Sequence, residues 1–192
     1  MTDIEYIKTL AQEFRKALEV VVNKRLYGRL TLFGRFPHGC CRYTSDLLAE
    51  YMMSKGISAG RIQMIDAESN SEQYTHCWLV VDNAIIVDIT ADQFNYESYF
   101  KEYEPIPSSY VGMCDAQYLH SCFYNATLQS NCNVGINSYS GDTPLKLKVV
   151  YDAIIEQIES NTKRGEYTWH FALTAGKSFK MERSSVRTVA KR

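Results

Sequence analysis

The stretch THCWLVVDNAIIVDIT, residues 75–90, decides the fold of this chain. It contains two runs rich in β-branched and apolar residues, 76–81 and 84–90, which are joined by Asp82-Asn83, a pair suited to a tight turn. The apolar residues do not alternate with polar ones, a pattern typical of strands that are buried on both faces. The stretch therefore predicts a β-hairpin in the middle of a sheet.

Helical patterns lie on both sides of this hairpin. Apolar residues recur at helical spacing over residues 2–24 and again over 143–160, where Pro144 stands at the first helical position. A further helix is expected to begin near Cys41 and to end at Gly56, since glycine often follows the last turn of a helix. The chain therefore places two helices before the hairpin and one well after it.

The remaining segments carry weaker signals. Short strands are expected at residues 60–65 and 108–113, and the Cys-, Asn-, Ser- and Gly-rich residues 114–142 predict a loop with a short helix. Together with the helices and the hairpin, these segments predict an α+β fold. We expect an antiparallel central sheet packed against the N-terminal helices.

Composition excludes several classes of protein. With 192 residues and a hydrophobic fraction of 45%, we expect one domain over residues 1–192, ending in a basic tail at 176–192. The 21 Lys and Arg against 22 Asp and Glu lack the basic excess of proteins that coat nucleic acid. Long apolar runs and an export signal are missing, so neither a membrane partner nor signal-peptide secretion is expected. Six cysteines in such a chain are typical of free thiols in the cytoplasm, although secretion without a cleavable signal stays open.

A cysteine doublet precedes the second predicted helix, within FPHGCCRYTSDLLAEYM at residues 36–52. A thiol attacks carbonyl groups as the thiolate, which is favoured by the positive end of a helix dipole and by an imidazole that takes the proton. Cys41 lies at the predicted helix start, where backbone amides can also stabilise an oxyanion. His76 and Asp88 of the hairpin could supply the base and the carboxylate that orients it.

The hairpin permits a geometric test of this candidate triad. With a strict two-residue turn, Cys77 rather than His76 would face Asp88, because paired positions would sum to 165. His76 and Asp88 share a face only if the connection holds three residues or the ladder contains a bulge, since one residue of slip exchanges the faces. We predict that irregularity.

Three motifs carry a resemblance to a known family. They are F-P-x-G-x-C leading into S-x-L-L-A at 36–49, H-x-W at 76–78, and D-I-T-A-D-Q-F at 88–94. These motifs resemble the transglutaminase-like branch of the papain-like cysteine superfamily, over a motif-bearing core of about 36–94. The resemblance implies Cys41 as the nucleophile, with Cys40 as its neighbour, followed by His76 and Asp88 on neighbouring antiparallel strands.

The resemblance also implies a class of reaction. Transglutaminases, peptidases, amidases and deamidases of this family act through a thioester, so it implies acyl chemistry on a carboxamide or peptide bond of a protein, peptide or amide substrate, without a cofactor. Hydrolysis is favoured over transfer to an amine, because the chain is short and shows no calcium loop. The alternatives are a non-catalytic protein-binding module on the same scaffold and an arylamine acetyltransferase, for whose coenzyme A pocket the sequence shows no sign. The oligomeric state is left open.

Several other residues could have a functional or a structural role. Trp78 would share a face with His76 and could line a substrate site, although a core position is equally consistent with its type. His38 is a rival base, but a residue so near in the chain seldom approaches the thiol of Cys41 in line. We expect no metal, because four candidate ligands lack the paired spacing of zinc modules: Cys114, His120, Cys122 and Cys132.

Overall fold

Three α-helices form where the apolar periodicity predicts them. The computed structural model describes residues 4–24, 31–114, 118–129 and 134–163, so the predicted tail at 176–192 lies outside the described residues. The helices are α1 (Ile4–Asn23), α2 (Cys41–Ser54) and α3 (Thr143–Lys163). Among the helices described, none combines the length and the apolar character needed to cross a bilayer.

Two glycines set the limits of α2. Gly39 has a φ of +66° just before the helix, and Gly56 has a φ of +91° just after it. Side chains other than glycine rarely adopt this left-handed conformation, so the chain turns at these two points at little steric cost. The first residue of the helix is therefore Cys41, as predicted.

Five strands form one antiparallel sheet. They are β1 (Ile62–Ser69), β2 (Thr75–Val81), β3 (Ile85–Asp88), β4 (Tyr110–Met113) and β5 (Phe123–Gln129). Their order across the sheet is β4-β3-β2-β1-β5, and every neighbouring pair is antiparallel. The hairpin β2-β3 therefore lies inside the sheet, which confirms the prediction from its apolar runs.

The hairpin contains the predicted irregularity. Val81 pairs with Ile85, so the connection holds three residues and paired positions sum to 166 rather than 165. Asp82 and Asn83 both adopt a φ of +56°, a conformation that these two residue types tolerate better than most. In this register, residues that face each other have numbers that are both odd or both even. The even-numbered residues His76 and Asp88 therefore lie on the same face of the sheet.

Both faces of the sheet are covered. All three helices pack on one face, against a core that includes Phe14, Leu48, Leu79 and Val87. The opposite face packs against the segments that follow β3 and those near β5, through residues such as Trp78, Ile86, Phe94 and Phe100. This double coverage explains why the strands show continuous apolar runs, and the α+β prediction with helices against an antiparallel sheet is confirmed.

Two predicted segments differ from the structure. The strand expected at 60–65 continues to Ser69, because β1 is paired along both edges, with β2 and with β5. The region 114–142, predicted as loop with a short helix, contains β5 at the edge of the sheet. The β5 sequence FYNATLQ mixes polar and apolar residues without clear alternation, so the pairing with β1 overrides its weak local signal.

Candidate active site

The two adjacent cysteines differ in their surroundings. Cys40 is only 2% exposed, and its Sγ donates to the carbonyl oxygen of Pro37 at 3.3 Å. The hydroxyl of Thr44 donates to the carbonyl oxygen of Cys40 at 2.8 Å and lies 3.7 Å from its Sγ. Burial raises the pKa of Cys40 to about 11, which keeps this thiol protonated. Cys41, in contrast, is partly exposed at the wall of an open cleft.

His76 and Asp88 form a buried hydrogen-bonded pair. His76 Nε2 donates to Asp88 Oδ2 at 2.6 Å, and both side chains have no solvent exposure. The other carboxylate oxygen, Oδ1, accepts from the backbone amide of Thr90 at 2.9 Å and from the Thr90 hydroxyl at 3.2 Å. Every described polar contact of the carboxylate is therefore one that stabilises its negative charge.

The pair shifts the protonation equilibria of both partners. Burial opposes ionisation of Asp88, but the charge of His76 and the hydrogen bonds of His120 and His76 outweigh it and hold the pKa of Asp88 well below its usual range. Burial likewise lowers the pKa of His76, whereas the Asp88 carboxylate and hydrogen bonding to Cys41 raise it, with a net value of about 9. At neutral pH these shifts favour an imidazolium beside a carboxylate.

Cys41 is the partner of His76 on the cleft side. Its pKa is lowered to about 4, first by a hydrogen bond from Cys77, against the effect of burial, and then by hydrogen bonding and charge from His76. Cys77 has its pKa raised by the same contact and by burial, so its thiol remains protonated. Cys77 Sγ also donates to Asp66 Oδ1 at 3.1 Å, so its single S–H is shared between this carboxylate and Cys41. These contacts favour the thiolate at Cys41 and the thiol at Cys77, as a nucleophile and a donor would require.

His120 is a site residue that sequence reasoning missed. Its Nε2 donates to Asp88 Oδ2 at 2.9 Å, so this oxygen accepts from two histidines. Burial lowers the pKa of His120, so it is the neutral member of the pair. The segment 118–123, between β4 and β5, carries His120 to the site, and no local pattern in the sequence predicts that approach.

Gln93 is a second missed residue. Its Nε2 lies 2.9 Å from His76 Nδ1 and donates to the carbonyl oxygen of Thr90 at 3.1 Å. Gln93 belongs to a short 3₁₀ helix, Ala91–Phe94, that follows Asp88 and forms part of the cleft wall. Its position inside D-I-T-A-D-Q-F was the signal available in the sequence, since that motif was already assigned to the site.

Arg15 holds the segment that carries Gln93. Its guanidinium makes a two-pronged ion pair with Asp92, at 2.8 and 2.7 Å, and also donates to the carbonyl oxygens of Ile89 and Ser108. The same group lies 4.6 Å from the ring centre of Phe36, in the loop before α2. A single side chain of α1 therefore ties together the two segments that supply Cys41 and Gln93.

Trp78 lies within the core rather than along the cleft. It is 5% exposed, and its ring lies 5.6 Å from the ring of His76 and 4.9 Å from that of His120. It shares a face with His76, as its position two residues away predicted. Trp78 is not part of the described cleft lining, so its contact with the site is through the two histidines.

His76, Asp88 and His120 also form a cluster of side chains of the types that bind metal ions. One ligand atom each from His76, Asp88 and His120 lie within 4.8 Å of one another. The nitrogen-to-oxygen distances of 2.6 and 2.9 Å are those of charge-assisted hydrogen bonds, with a proton on each imidazole nitrogen. Of the four zinc candidates weighed in the sequence, Cys114 is exposed, Cys122 donates to the hydroxyl of Tyr103 at 3.2 Å, and Cys132 lies outside the described residues.

The cleft above Cys41 has a volume of about 480 Å³. Its walls come from the start of α2, from the loop before β2 and from the segment after β3. Aromatic rings form much of the lining, together with a few polar groups: Tyr43, Tyr74, Phe94, Tyr139, Gln73, Gln93 and Glu97. His38, the rival base, also lies at this cleft and is exposed, whereas His76 lies beneath it. A substrate carbonyl entering here would meet the thiol of Cys41.

Comparison of the chain with protein-family models, with curated proteins and with solved structures finds no match. The resemblance to the transglutaminase-like family therefore rests on the three sequence motifs and stays a prediction, beside the observed arrangement of Cys41, His76 and Asp88. That arrangement consists of a cysteine at a helix start and a histidine and an aspartate on adjacent antiparallel strands.

Proposed function

We propose that this protein is a cysteine hydrolase with a transglutaminase-like core, acting on a carboxamide or peptide bond. Cys41 attacks the carbonyl carbon as thiolate, and the carbon-nitrogen bond breaks as His76 gives its proton to the departing ammonia or amine. Water then attacks the thioester as the neutral His76 takes one of its protons. The carbon-sulfur bond breaks, which restores the thiolate and the imidazolium, and the carboxylic acid product loses its proton to solvent. Asp88 holds the imidazole in position, and the Cys41 backbone amide at the start of α2 faces the developing oxyanion.

The observation that carries this proposal is the buried contact of His76 Nε2 with Asp88 Oδ2 at 2.6 Å. It leaves Nδ1 as the ring nitrogen that can take a proton from Cys41. A buried histidine with an ionised partner is typical of catalytic sites, and here it lies directly below a cleft that contains a cysteine at a helix start. Hydrolysis is preferred to transfer because the cleft is open to water on the side of Cys41.

The first test is the selectivity of alkylation. The native protein, Cys41→Ala, Cys40→Ala and His76→Ala are treated briefly with iodoacetamide near pH 6, and the intact masses are measured. We expect fast single labelling that is lost in Cys41→Ala, retained in Cys40→Ala and slowed in His76→Ala. An ordinary thiol would be only about three parts in a thousand thiolate at this pH, so the contrast is large.

The second test is turnover. Proteins and glutamine-containing peptides are incubated with native protein and with Cys41→Ala, and the release of ammonia and of new carboxylates is measured. Slow labelling spread over several cysteines, together with binding of a protein that Cys41→Ala retains, would favour the non-catalytic binding module instead.

A further inference from the structure

The amide of Gln93 has a defined orientation at the site. Its Nε2 lies 3.1 Å from the carbonyl oxygen of Thr90 and 2.9 Å from His76 Nδ1. The Thr90 oxygen can only accept, so the atom beside it must be the amide nitrogen rather than the amide oxygen. One amide hydrogen therefore points to Thr90 and the other to the imidazole ring.

This orientation belongs to the neutral form of His76, in which Cys41 is still a thiol. A nitrogen that accepts a hydrogen bond has no hydrogen of its own, so Nδ1 is unprotonated when Gln93 donates to it. The ring proton then lies on Nε2, which donates to Asp88. His76 is in this state a neutral base, with Nδ1 on the side of Cys41.

Formation of the Cys41 thiolate and the His76 imidazolium, which the pKa values of about 4 and about 9 favour at neutral pH, removes the acceptor that Gln93 uses. Once Nδ1 carries a hydrogen, two N–H groups point at each other across 2.9 Å, and the contact becomes repulsive. The amide N–H must then find another acceptor. Gln93 and Cys41 both line the cleft, and the strongest new acceptor there is the oxygen of the carbonyl that the thiolate attacks.

We propose that Gln93 is a catalytic residue whose amide N–H is released from His76 Nδ1 when Cys41 and His76 form their ion pair, and is then donated to the substrate oxyanion. This inference rests on the proposed acyl chemistry and adds to it a second oxyanion donor beside the backbone amide of Cys41. The proton of Cys41 moves to Nδ1, the sulfur-carbon bond forms, and the carbonyl π electrons move to the oxygen, which accepts from Gln93. Collapse of the intermediate expels the leaving group and returns Gln93 to Nδ1 once that nitrogen has lost its proton.

Two reagents separate this role from a structural one. Iodoacetamide alkylates Cys41 by displacement at carbon and forms no oxyanion, whereas p-nitrophenyl acetate acetylates it through a tetrahedral oxyanion. In Gln93→Met we expect acetylation of Cys41 to slow by about 100-fold or more, since loss of one oxyanion donor has effects of this size. Alkylation should change by less than about threefold, because the nucleophile itself is retained.

The chain supplies a matched control. Gln12 is exposed on α1 and is not part of the described cleft lining, so Gln12→Met should leave both rates unchanged. A second variant, Gln93→Glu, keeps the shape but presents only acceptors to the ring. Gln93→Glu should also slow acetylation. A carboxylate stabilises the imidazolium, so the change in alkylation rate that accompanies loss of the His76 proton near pH 9 should move to higher pH.

The outcomes are distinct. Equal losses of both rates in Gln93→Met, or no loss of either, would overturn the role of Gln93 while leaving Cys41 as an activated thiol. Failure of the native protein to alkylate selectively at Cys41 would instead overturn the proposed function. Urea unfolding of each variant establishes that it folds, and if Gln93→Met does not, the Gln93→Glu rates decide between the same two outcomes.

Discussion

His76 and His120 donate to the same oxygen of Asp88, at 2.6 and 2.9 Å. Two imidazoles on one carboxylate oxygen cannot both carry a charge without strong mutual repulsion. Burial keeps His120 neutral, whereas Asp88 and Cys41 raise the pKa of His76 to about 9, so the positive charge resides on His76. His76, the histidine beside Cys41, therefore carries the proton that the proposed reaction transfers to the leaving group.

Alkylation of Cys41 should show two transitions with pH. The lowered pKa of Cys41 means that thiolate forms above about pH 4, and the raised pKa of His76 means that the imidazolium is lost only near pH 9. The rate with iodoacetamide should therefore rise near pH 4, remain level, and rise again near pH 9 as the thiolate loses its partner. Intact-mass kinetics measure it, and Cys40→Ala should give the same profile. A single rise above pH 8 would contradict the ion pair.

Cys77→Ala should raise the pH above which Cys41 is a reactive thiolate. The hydrogen bond from Cys77 is the largest cause of the lowered pKa of Cys41, and alanine removes the donor while leaving His76 in place. We expect the lower transition to move to higher pH and the upper one to stay. Cys122→Ala is the control, because Cys122 bonds to Tyr103 rather than to the candidate nucleophile. An unchanged lower transition would show that the helix and His76 alone activate Cys41.

Asp88→Asn should destabilise the fold in a pH-dependent way. Asparagine keeps one acceptor oxygen and replaces the other by a donor, so either the two imidazole N–H groups or the two Thr90 donors lose their acceptor, which should cost about 3–5 kcal/mol. Because the pKa of Asp88 is lowered on folding, this residue stabilises the fold at pH values above 3.8, its ordinary pKa. Because the pKa of His76 is raised on folding, this residue stabilises the fold at pH values below 6.5, its ordinary pKa, and the stabilisation disappears as the pH rises to about 9.

The difference between native protein and Asp88→Asn should thus be largest between about pH 4 and pH 6.5 and smaller outside that range. Urea unfolding at several pH values measures it. Asp152→Asn, which removes an exposed ion pair with Lys148, should change stability by less than about 0.5 kcal/mol at any pH. A pH-independent loss in Asp88→Asn would argue against an ionised pair.

The variants His120→Leu and His120→Gln should distinguish the hydrogen bond that His120 donates to Asp88 from the packing of its ring. Gln can place an amide N–H near the position of Nε2, whereas Leu leaves Asp88 Oδ2 with one donor fewer. We expect His120→Leu to lose about 1–3 kcal/mol of unfolding free energy and His120→Gln to lose clearly less. In His120→Leu the upper transition of the alkylation profile should also move to higher pH, because a carboxylate with fewer donors attracts the imidazolium more strongly. Equal effects of the two variants on both measurements would assign His120 to packing alone.

Arg15 and Asp92 should be strongly coupled in stability. Their two-pronged ion pair is largely buried, with Arg15 at 6% and Asp92 at 18% side-chain exposure. A double-mutant cycle with Arg15→Met and Asp92→Asn should give a coupling free energy of about 1.5–3 kcal/mol by urea unfolding. The same cycle on Lys148 and Asp152 should give less than about 0.5 kcal/mol. Additive effects of Arg15→Met and Asp92→Asn would show that the pair does not hold this segment.

Much of the scaffold follows from local signals. The periodic apolar residues of α1 and α3, and the glycines that limit α2, are contained in short windows of sequence and predicted the helices correctly. The hairpin was predicted from its apolar runs, and a three-residue connection or a bulge followed from counting positions, once His76 and Asp88 were required to share a face; the structure has the three-residue connection. Strand β5 was not predicted, because an edge strand with mixed polarity takes its conformation from pairing with β1.

The candidate site divides in the same way. The sequence by itself determined that Cys41 begins a helix and that His76 and Asp88 lie on paired strands, because turns, caps and strand parity depend on neighbours in the chain. Only the tertiary structure decided that His120 reaches Asp88 across 32 residues and that Arg15 reaches Asp92 across 77. Such contacts join segments that have no common periodicity, and they form only when helices and loops pack on the two faces of the sheet.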